Sequence, residues 1–183
     1  MESIWAKTCD IPARETLDGD RKTEIAVIGA GMAGILIADA LQSAGHEVIV
    51  LEANRVASGQ TRGTTAKITS QHGLFYHKLI RSHGMEKARQ YAAANEAAIR
   101  EYRRIVSERG IDCDLEEQRA YLYGNDPEAL TQEAACAKEL GIEASFVVPK
   151  GLPFPAAGAV CFEHQAQFHP LKFLRAVSES LTI

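Results

Sequence analysis

Four residues carry the clearest chemistry in this chain: Gly29, Gly31, Gly34 and, 18 positions after the last of them, Glu52. Glycine at the first position permits a tight turn. At the second it lets backbone approach a ligand without a Cβ in the way, and at the third it lets a helix pack closely on a strand. A carboxylate at the stated distance can accept hydrogen bonds from ribose hydroxyls. Together they suit the pyrophosphate and ribose of an ADP-containing dinucleotide. Glu52 also argues against a 2′-phosphorylated ribose, which a carboxylate would repel.

Such glycines mean little unless the elements around them agree. Residues 24–52 read EIAVIGAGMAGILIADALQSAGHEVIVLE. Ile25, Val27 and Ile28 form an apolar run, as expected of a buried parallel strand. A helix follows, its unpaired N–H groups and positive dipole end facing the ligand. Ala38 and Leu41 are spaced to face the sheet. Gly45 can end the helix in a left-handed conformation. Val48 and Val50 alternate in a second strand that ends at Glu52. The plain alternative is an ordinary βαβ crossover with a glycine turn.

The remaining elements follow from periodicity and punctuation. Residues 1–23 look irregular, with Trp5 as a packing anchor. Residues 53–74 are rich in Gly, Ser and Thr and lack helical spacing, so a long loop is expected, and such loops are usually functional or disordered. Met85, Ala88, Ala92, Ile99, Tyr102 and Val106 define a helix over 84–109 that Gly110 stops. Tyr91 and Tyr102 are assigned to a core face. A strand is expected within 114–123. Asp126 caps a helix with Pro127 at its first position, running to Leu140 before Gly141. Strands are expected at 145–148 and 159–163, then a helix opened by His169–Pro170 and ending near Ser180. The last residues, LRAVSESLTI, suggest a helix with no closing strand and the front portion of something longer.

Composition narrows the classes. The chain has 183 residues, 46% hydrophobic and 24% charged, with net charge −4. That is an ordinary globular balance, long enough to bury roughly 70% of the unfolded surface. The absence of a basic block argues against nucleic acid. No apolar run approaches the ~20 residues of a membrane span, and the N-terminus lacks a signal peptide's apolar stretch. Cys9, Cys113, Cys136 and Cys161 are scattered, which supports neither a metal site nor a disulfide framework. A reducing cytoplasm is the simplest setting.

These residues carry a resemblance. AVIGAGMAG and VIVLEA are shared by many flavoproteins. RVASGQTRGTTAKIT, followed by HGLFYHKLI and YAAANEAAI, is more specific. With them the chain resembles the FAD-dependent oxidoreductases of the D-amino-acid oxidase, glycine oxidase and sarcosine oxidase superfamily. Within it, the match is to a bacterial subgroup in which a Rieske iron–sulfur domain often follows. QAQFHPLKFLRAV at 165–177 resembles the family's run into the helix before its next cofactor-binding strand.

The resemblance implies a Rossmann-like α/β FAD-binding domain, partial, with the start of an α+β substrate domain. It divides the chain into a βαβ unit and flavin loop with its lead-in (1–74), a helical part of the FAD domain (75–113), the start of the substrate domain (114–168) and a returning helix (169–183). It implies oxidation of a C–N bond in an amine or amino acid, by hydride transfer to flavin N5. FAD contacts carry over to Gly29, Gly31, Met32, Ala33 and Gly34 at the pyrophosphate, and to Glu52 and Ala53 at the adenosine ribose, with Asn54 and Arg55 as neighbours. Thr61, Thr64, Thr65 and Ala66 match the polar stretch running toward the isoalloxazine. The family's later adenine-contacting strand, most of its substrate sheet, its C-terminal glycine motif and any Rieske ligand pattern do not occur in these residues.

Catalytic candidates are sparse. Lys67 could stabilise an anionic flavin, or simply face solvent. His72 and His77 could act as acid or base, or pack. Arg62 could meet a phosphate or carboxylate, or an exposed partner. His164 and His169 lie near the apparent second domain, and Glu116 and Glu117 suit a solvated strand. Two alternatives stay open: an NAD-linked dehydrogenase, which the long loop after Glu52 disfavours, and a non-catalytic dinucleotide-binding fragment. An incomplete sheet would also favour homo-oligomers. Substrate and electron acceptor are not legible.

Overall fold

The computed structural model describes residues 3–183. Its contacts divide the chain into two units. One holds the residues up to Ala66, Arg109–Asp114 and Phe168–Ile183; the other holds Lys67–Glu108 and Leu115–Gln167.

The first unit is built on the βαβ motif. Strand β1 (Ile25–Ile28) and strand β2 (Val48–Leu51) pair in parallel, Ile25 opposite Val48 and Ile28 opposite Leu51. Helix α2 (Met32–Ser43) connects them and buries Ile35 and Ala38 completely. It ends as Gly45 predicts. Gly45 has φ +93°, its N–H reaches the Gln42 carbonyl, and the His46 N–H reaches the Leu41 carbonyl, a Schellman pair. β1 is not the doubly buried strand its composition suggests, because Ile28 is 78% exposed. Only one face of this narrow sheet is covered within the unit.

Two sequence expectations change here. The lead-in is not wholly irregular: helix α1 (Ile4–Thr8) forms, capped by the Ser3 hydroxyl on the Ala6 amide. Nor does the chain stop on a bare helix. After helix α5 (Pro170–Ser178) the backbone runs parallel to β2, bridging Thr182 to Ile49, with the Val50 N–H on the Thr182 carbonyl at 2.9 Å. Three residues show no periodicity, so this pairing was invisible to pattern reading.

The second unit is an antiparallel sheet under two helices. Strand β6 (Gly158–Gln167) pairs with β3 (Lys67–Ile68), β4 (Glu116–Gly124) and β5 (Ala144–Val147). Helix α3 spans Tyr76–Arg109 and breaks at Gly84, where φ is +82° and ψ 164°. The sequence reading found only the portion beyond that glycine and grouped it with the first unit; contacts place residues to Glu108 in the second. Helix α4 (Pro127–Glu139) is capped by Asp126 on the Ala129 amide and stopped at Gly141, φ +91°. Its Leu130, Ala134 and Ala137 join Tyr76, Ala88, Ala92, Val160 and Phe162 in one core.

Glu133 sits in that core, 1% exposed. Its carboxylate accepts the backbone N–H groups of Phe75, Tyr76 and His77, at 2.8, 2.6 and 3.0 Å. These are unpaired donors at the start of α3, so a residue from a distant helix closes that end. Among the described residues, no helix is long and apolar enough to cross a membrane.

Candidate functional site

The βαβ turn opens into a cleft of about 450 Å³, lined by Gly29, Gly31, Met32, Ala33, Gly34, Glu52, Asn54 and Thr61, together with Ile28 and residues 57–60. Three glycines shape it in different ways. Gly29 turns out of β1 with φ +97°. At Gly34 a Cβ would lie 1.9 Å from the Gly29 carbonyl oxygen, so only glycine lets α2 begin there. At Gly31 the nearest atom to an added Cβ is Thr61 Oγ1, at 3.7 Å. That position is therefore roomy within the protein itself, leaving space for a ligand to approach the backbone.

The electrostatics suit an anion at one end. α2 starts on Gly31 with no side-chain cap and no acid in its first turn, so no carboxylate of the helix itself counters its dipole. Met32 donates its N–H to Thr61 Oγ1 at 3.2 Å. The Thr61 hydroxyl proton remains to be donated elsewhere.

Glu52 is held in place by backbone. Oε2 accepts the Ala30 N–H at 2.8 Å and Oε1 accepts the Asn54 N–H at 2.9 Å. The Ala30 amide first, and then that of Asn54, hold the carboxyl below the usual range, so it is ionised at neutral pH. Each oxygen keeps acceptor capacity for a ribose hydroxyl.

The loop after β2 contains structure the sequence did not reveal. A 3₁₀ turn spans Gln60–Gly63 and β3 begins at Lys67. Buried Ala57 has φ +59°, and its N–H bonds the Ala30 carbonyl at 2.9 Å. A left-handed alanine costs about 1–2 kcal/mol, a strain placed at the rim of the cleft. Ala57, Ser58, Gly59 and Gln60 were not assigned as site residues; their small, polar composition in VASGQT was the available signal.

Other predicted positions lie off the lining. Ala53 and Thr65 are exposed. Arg55 turns to the lead-in, donating to the Ile11 carbonyl at 2.9 Å and pairing with Asp10. Thr64 offers its carbonyl to Trp5 Nε1 at 2.9 Å and its hydroxyl oxygen to the Ala66 amide. Ala66 is buried with φ +59° and accepts the Phe168 N–H. In the second unit, Lys67 opens β3 opposite Gln167, with its side chain exposed. His72 meets Asn95 Oδ1 at 3.3 Å and the Tyr91 ring edge-on. His164 spans Glu117 and Glu143, and Glu117 also meets Arg103, so that strand face is an ion-pair network.

A parallel βαβ with an uncapped helix N-terminus, a cradle at Gly31 and a backbone-held acid defines a dinucleotide-binding protein. The profile of the FAD-dependent oxidoreductase family called DAO matches residues 24–182. The chain belongs to that family, and its cofactor is FAD. It is 39% identical over 98% of its length to a Bacillus subtilis (strain 168) protein named as a Rieske 2Fe-2S iron-sulfur protein, YhfW, covering 36% of that protein. It is 26% identical over 65% of its length to gamma-glutamylputrescine oxidoreductase of Escherichia coli (strain K12), covering 28% of it. The chain thus spans about a third of the length of the curated relatives it matches. Among solved structures, L-amino acid deaminase from Proteus myxofaciens aligns over 92% of this chain and 38% of its own, with TM-score 0.68 and 18% identity. L-proline dehydrogenase from P. horikoshii aligns over 86% and 41%, with TM-score 0.66 and 18% identity. Glycine oxidase from Bacillus cereus aligns over 87% and 43%, with TM-score 0.58 and 20% identity. At these identities the structures speak for the fold.

Proposed function

We propose that this chain supplies the FAD-binding part of an oxidoreductase that oxidises a C–N bond in an amine or amino acid. The observation that carries the reading is the cradle at Gly31, open in the protein and bordered by the α2 N-terminus and ionised Glu52. Gly31, Met32, Ala33 and Gly34 hold the pyrophosphate, with the Thr61 hydroxyl as a donor to it. Glu52 holds the adenosine ribose beside Asn54. Ala53, Arg55, Thr64, Thr65 and Ala66 act through the shape of the loop. Bound flavin supplies a two-electron acceptor at N5 for hydride from the carbon that bears nitrogen.

The substrate class rests on the names of relatives that act on gamma-glutamylputrescine, proline, glycine and other amino acids. The first unit serves as the cofactor domain and the second as the start of the substrate domain. Lys67 is the candidate cation at the flavin edge, and His72 the weaker candidate acid or base. The name of the 39% identical relative favours a Rieske cluster as electron acceptor in the whole protein.

The test is anaerobic titration of the purified full-length protein with amines and amino acids. We expect a yellow protein whose flavin bands bleach with one substrate class. A colourless protein, or bleaching by none of them, would overturn the reading. A Rieske centre would add its own paramagnetic resonance signal on reduction, and no such signal would remove that acceptor. Lys67→Met should retain FAD while slowing flavin reoxidation; unchanged half-reactions would make Lys67 a bystander.

A further inference from the structure

The family profile begins at residue 24, yet the cofactor loop is tied down by residues before it. Trp5, on α1, donates its indole N–H to the Thr64 carbonyl at 2.9 Å. Thr64 follows the 3₁₀ turn that carries Thr61 into the cleft. The other end of α1 is anchored as well. His169 Nδ1 accepts the Lys172 N–H at 3.2 Å, so its ring proton sits on Nε2 and is donated to Thr8 Oγ1 at 2.9 Å. The Thr8 hydroxyl then donates to the Ile4 carbonyl at 2.7 Å. The Trp5 and His169 rings meet edge-on, centroids 5.1 Å apart. Beyond α1, Ile11 is buried and its carbonyl takes Arg55.

A five-residue helix has no independent stability in water. Its order here must come from these contacts, and by reciprocity it restrains what it touches. The restrained segment carries a left-handed alanine at Ala66, a conformation that persists only when its surroundings hold it. We propose that the N-terminal segment 3–11 is a strap that holds the cofactor loop in its FAD-retaining shape, with Trp5 as the positioning residue. This rests on FAD occupying the cleft. Trp5 touches the loop's backbone at Thr64 and acts through the adjoining 3₁₀ turn that carries Thr61, without lining the cleft itself.

The test uses Trp5→Phe, which keeps a ring on α1 and removes the donor. FAD release from the full-length holoprotein is followed by the rise in free-flavin fluorescence after dilution. Losing one neutral hydrogen bond corresponds to release roughly 2- to 12-fold faster. Amide exchange across residues 61–66 should rise in the same variant, and Thr8→Val should show the same two changes in weaker form. Turnover per bound flavin should stay at the wild-type value. Wild-type release from Trp5→Phe would overturn the strap. If the wild-type protein retained no FAD, the cofactor reading would fail instead. The exchange measurement would then decide the strap: unchanged protection at 61–66 would overturn it too.

Discussion

Gly34 stands against Gly29 so closely that a Cβ on Gly34 would fall 1.9 Å from the Gly29 carbonyl oxygen, while one on Gly31 would meet nothing nearer than 3.7 Å. Gly34 is therefore demanded by the fold, whereas the protein's own packing makes no such demand at Gly31, where the proposed function puts the pyrophosphate. Gly34→Ala should destabilise the protein by about 3 kcal/mol, the upper end for overpacking, since a backbone atom cannot rotate away. Gly31→Val should leave the melting temperature of the FAD-free protein near wild type and abolish flavin binding. Thermal unfolding alongside flavin absorbance separates them. Full flavin occupancy in Gly31→Val would sink the pyrophosphate assignment.

Glu52 carries a second prediction. If Glu52 holds the ribose as proposed, Glu52→Ala should weaken FAD by roughly 1.5–3 kcal/mol, about 10- to 150-fold in Kd. It also strands the Ala30 and Asn54 amides, so some stability is lost without ligand. Because the folded carboxyl titrates below its ordinary value, its contribution is present above the unfolded pKa and disappears as pH falls through the folded one. Equilibrium dialysis at fixed salt measures the first effect, and acid denaturation of the variant against wild type measures the second.

Asp39 is 7% exposed and pairs with Arg109 through two bonds of 2.8 and 2.7 Å. This ties the middle of α2 to the last residue of α3. Arg109→Ala would leave a nearly buried carboxylate without that partner and should cost about 2–4 kcal/mol. Arg109→Ala with Asp39→Ala should recover much of the loss. Urea unfolding of the three variants closes the cycle, and strict additivity would show that the pair is not coupled.

Two histidines should pull stability in opposite directions with pH. The hydrogen bond that His164 donates to Glu117, with help from Glu143, raises the His164 pKa above 6.5. Its contribution is complete below the unfolded pKa and is lost as pH rises through the folded value. Burial, then Lys172, lowers the His169 pKa despite Asp114. Its contribution is complete above the unfolded pKa of 6.5 and is lost as pH falls through the folded value. His164→Gln should therefore flatten the stability profile on the alkaline side, and His169→Gln on the acid side. Denaturant midpoints between about pH 5 and 8 read both.

The sequence by itself determined the βαβ unit, the acid at its end and the capped helix after Asp126. Each is coded within one turn or one strand, by Gly29, Gly34 and Gly45, or by Asp126 and Pro127. The family was legible because its stretches, such as 55–69 and 72–80, are each short local strings of residues in the chain. Tertiary structure decided what depends on residues far apart. Glu133 closes the start of α3 from 56 to 58 positions away, and Trp5 reaches Thr64 across 59. Thr182 pairs beside Ile49 with too few residues to show a period. Arg55 and the small residues at 57–60 exchanged places, one turned to the lead-in and the others to the cleft, because a loop's direction is set by left-handed turns such as Ala57 that composition does not announce. Local propensity writes elements into a sequence. Long-range hydrogen bonds, which nothing in the neighbouring residues encodes, choose where those elements meet.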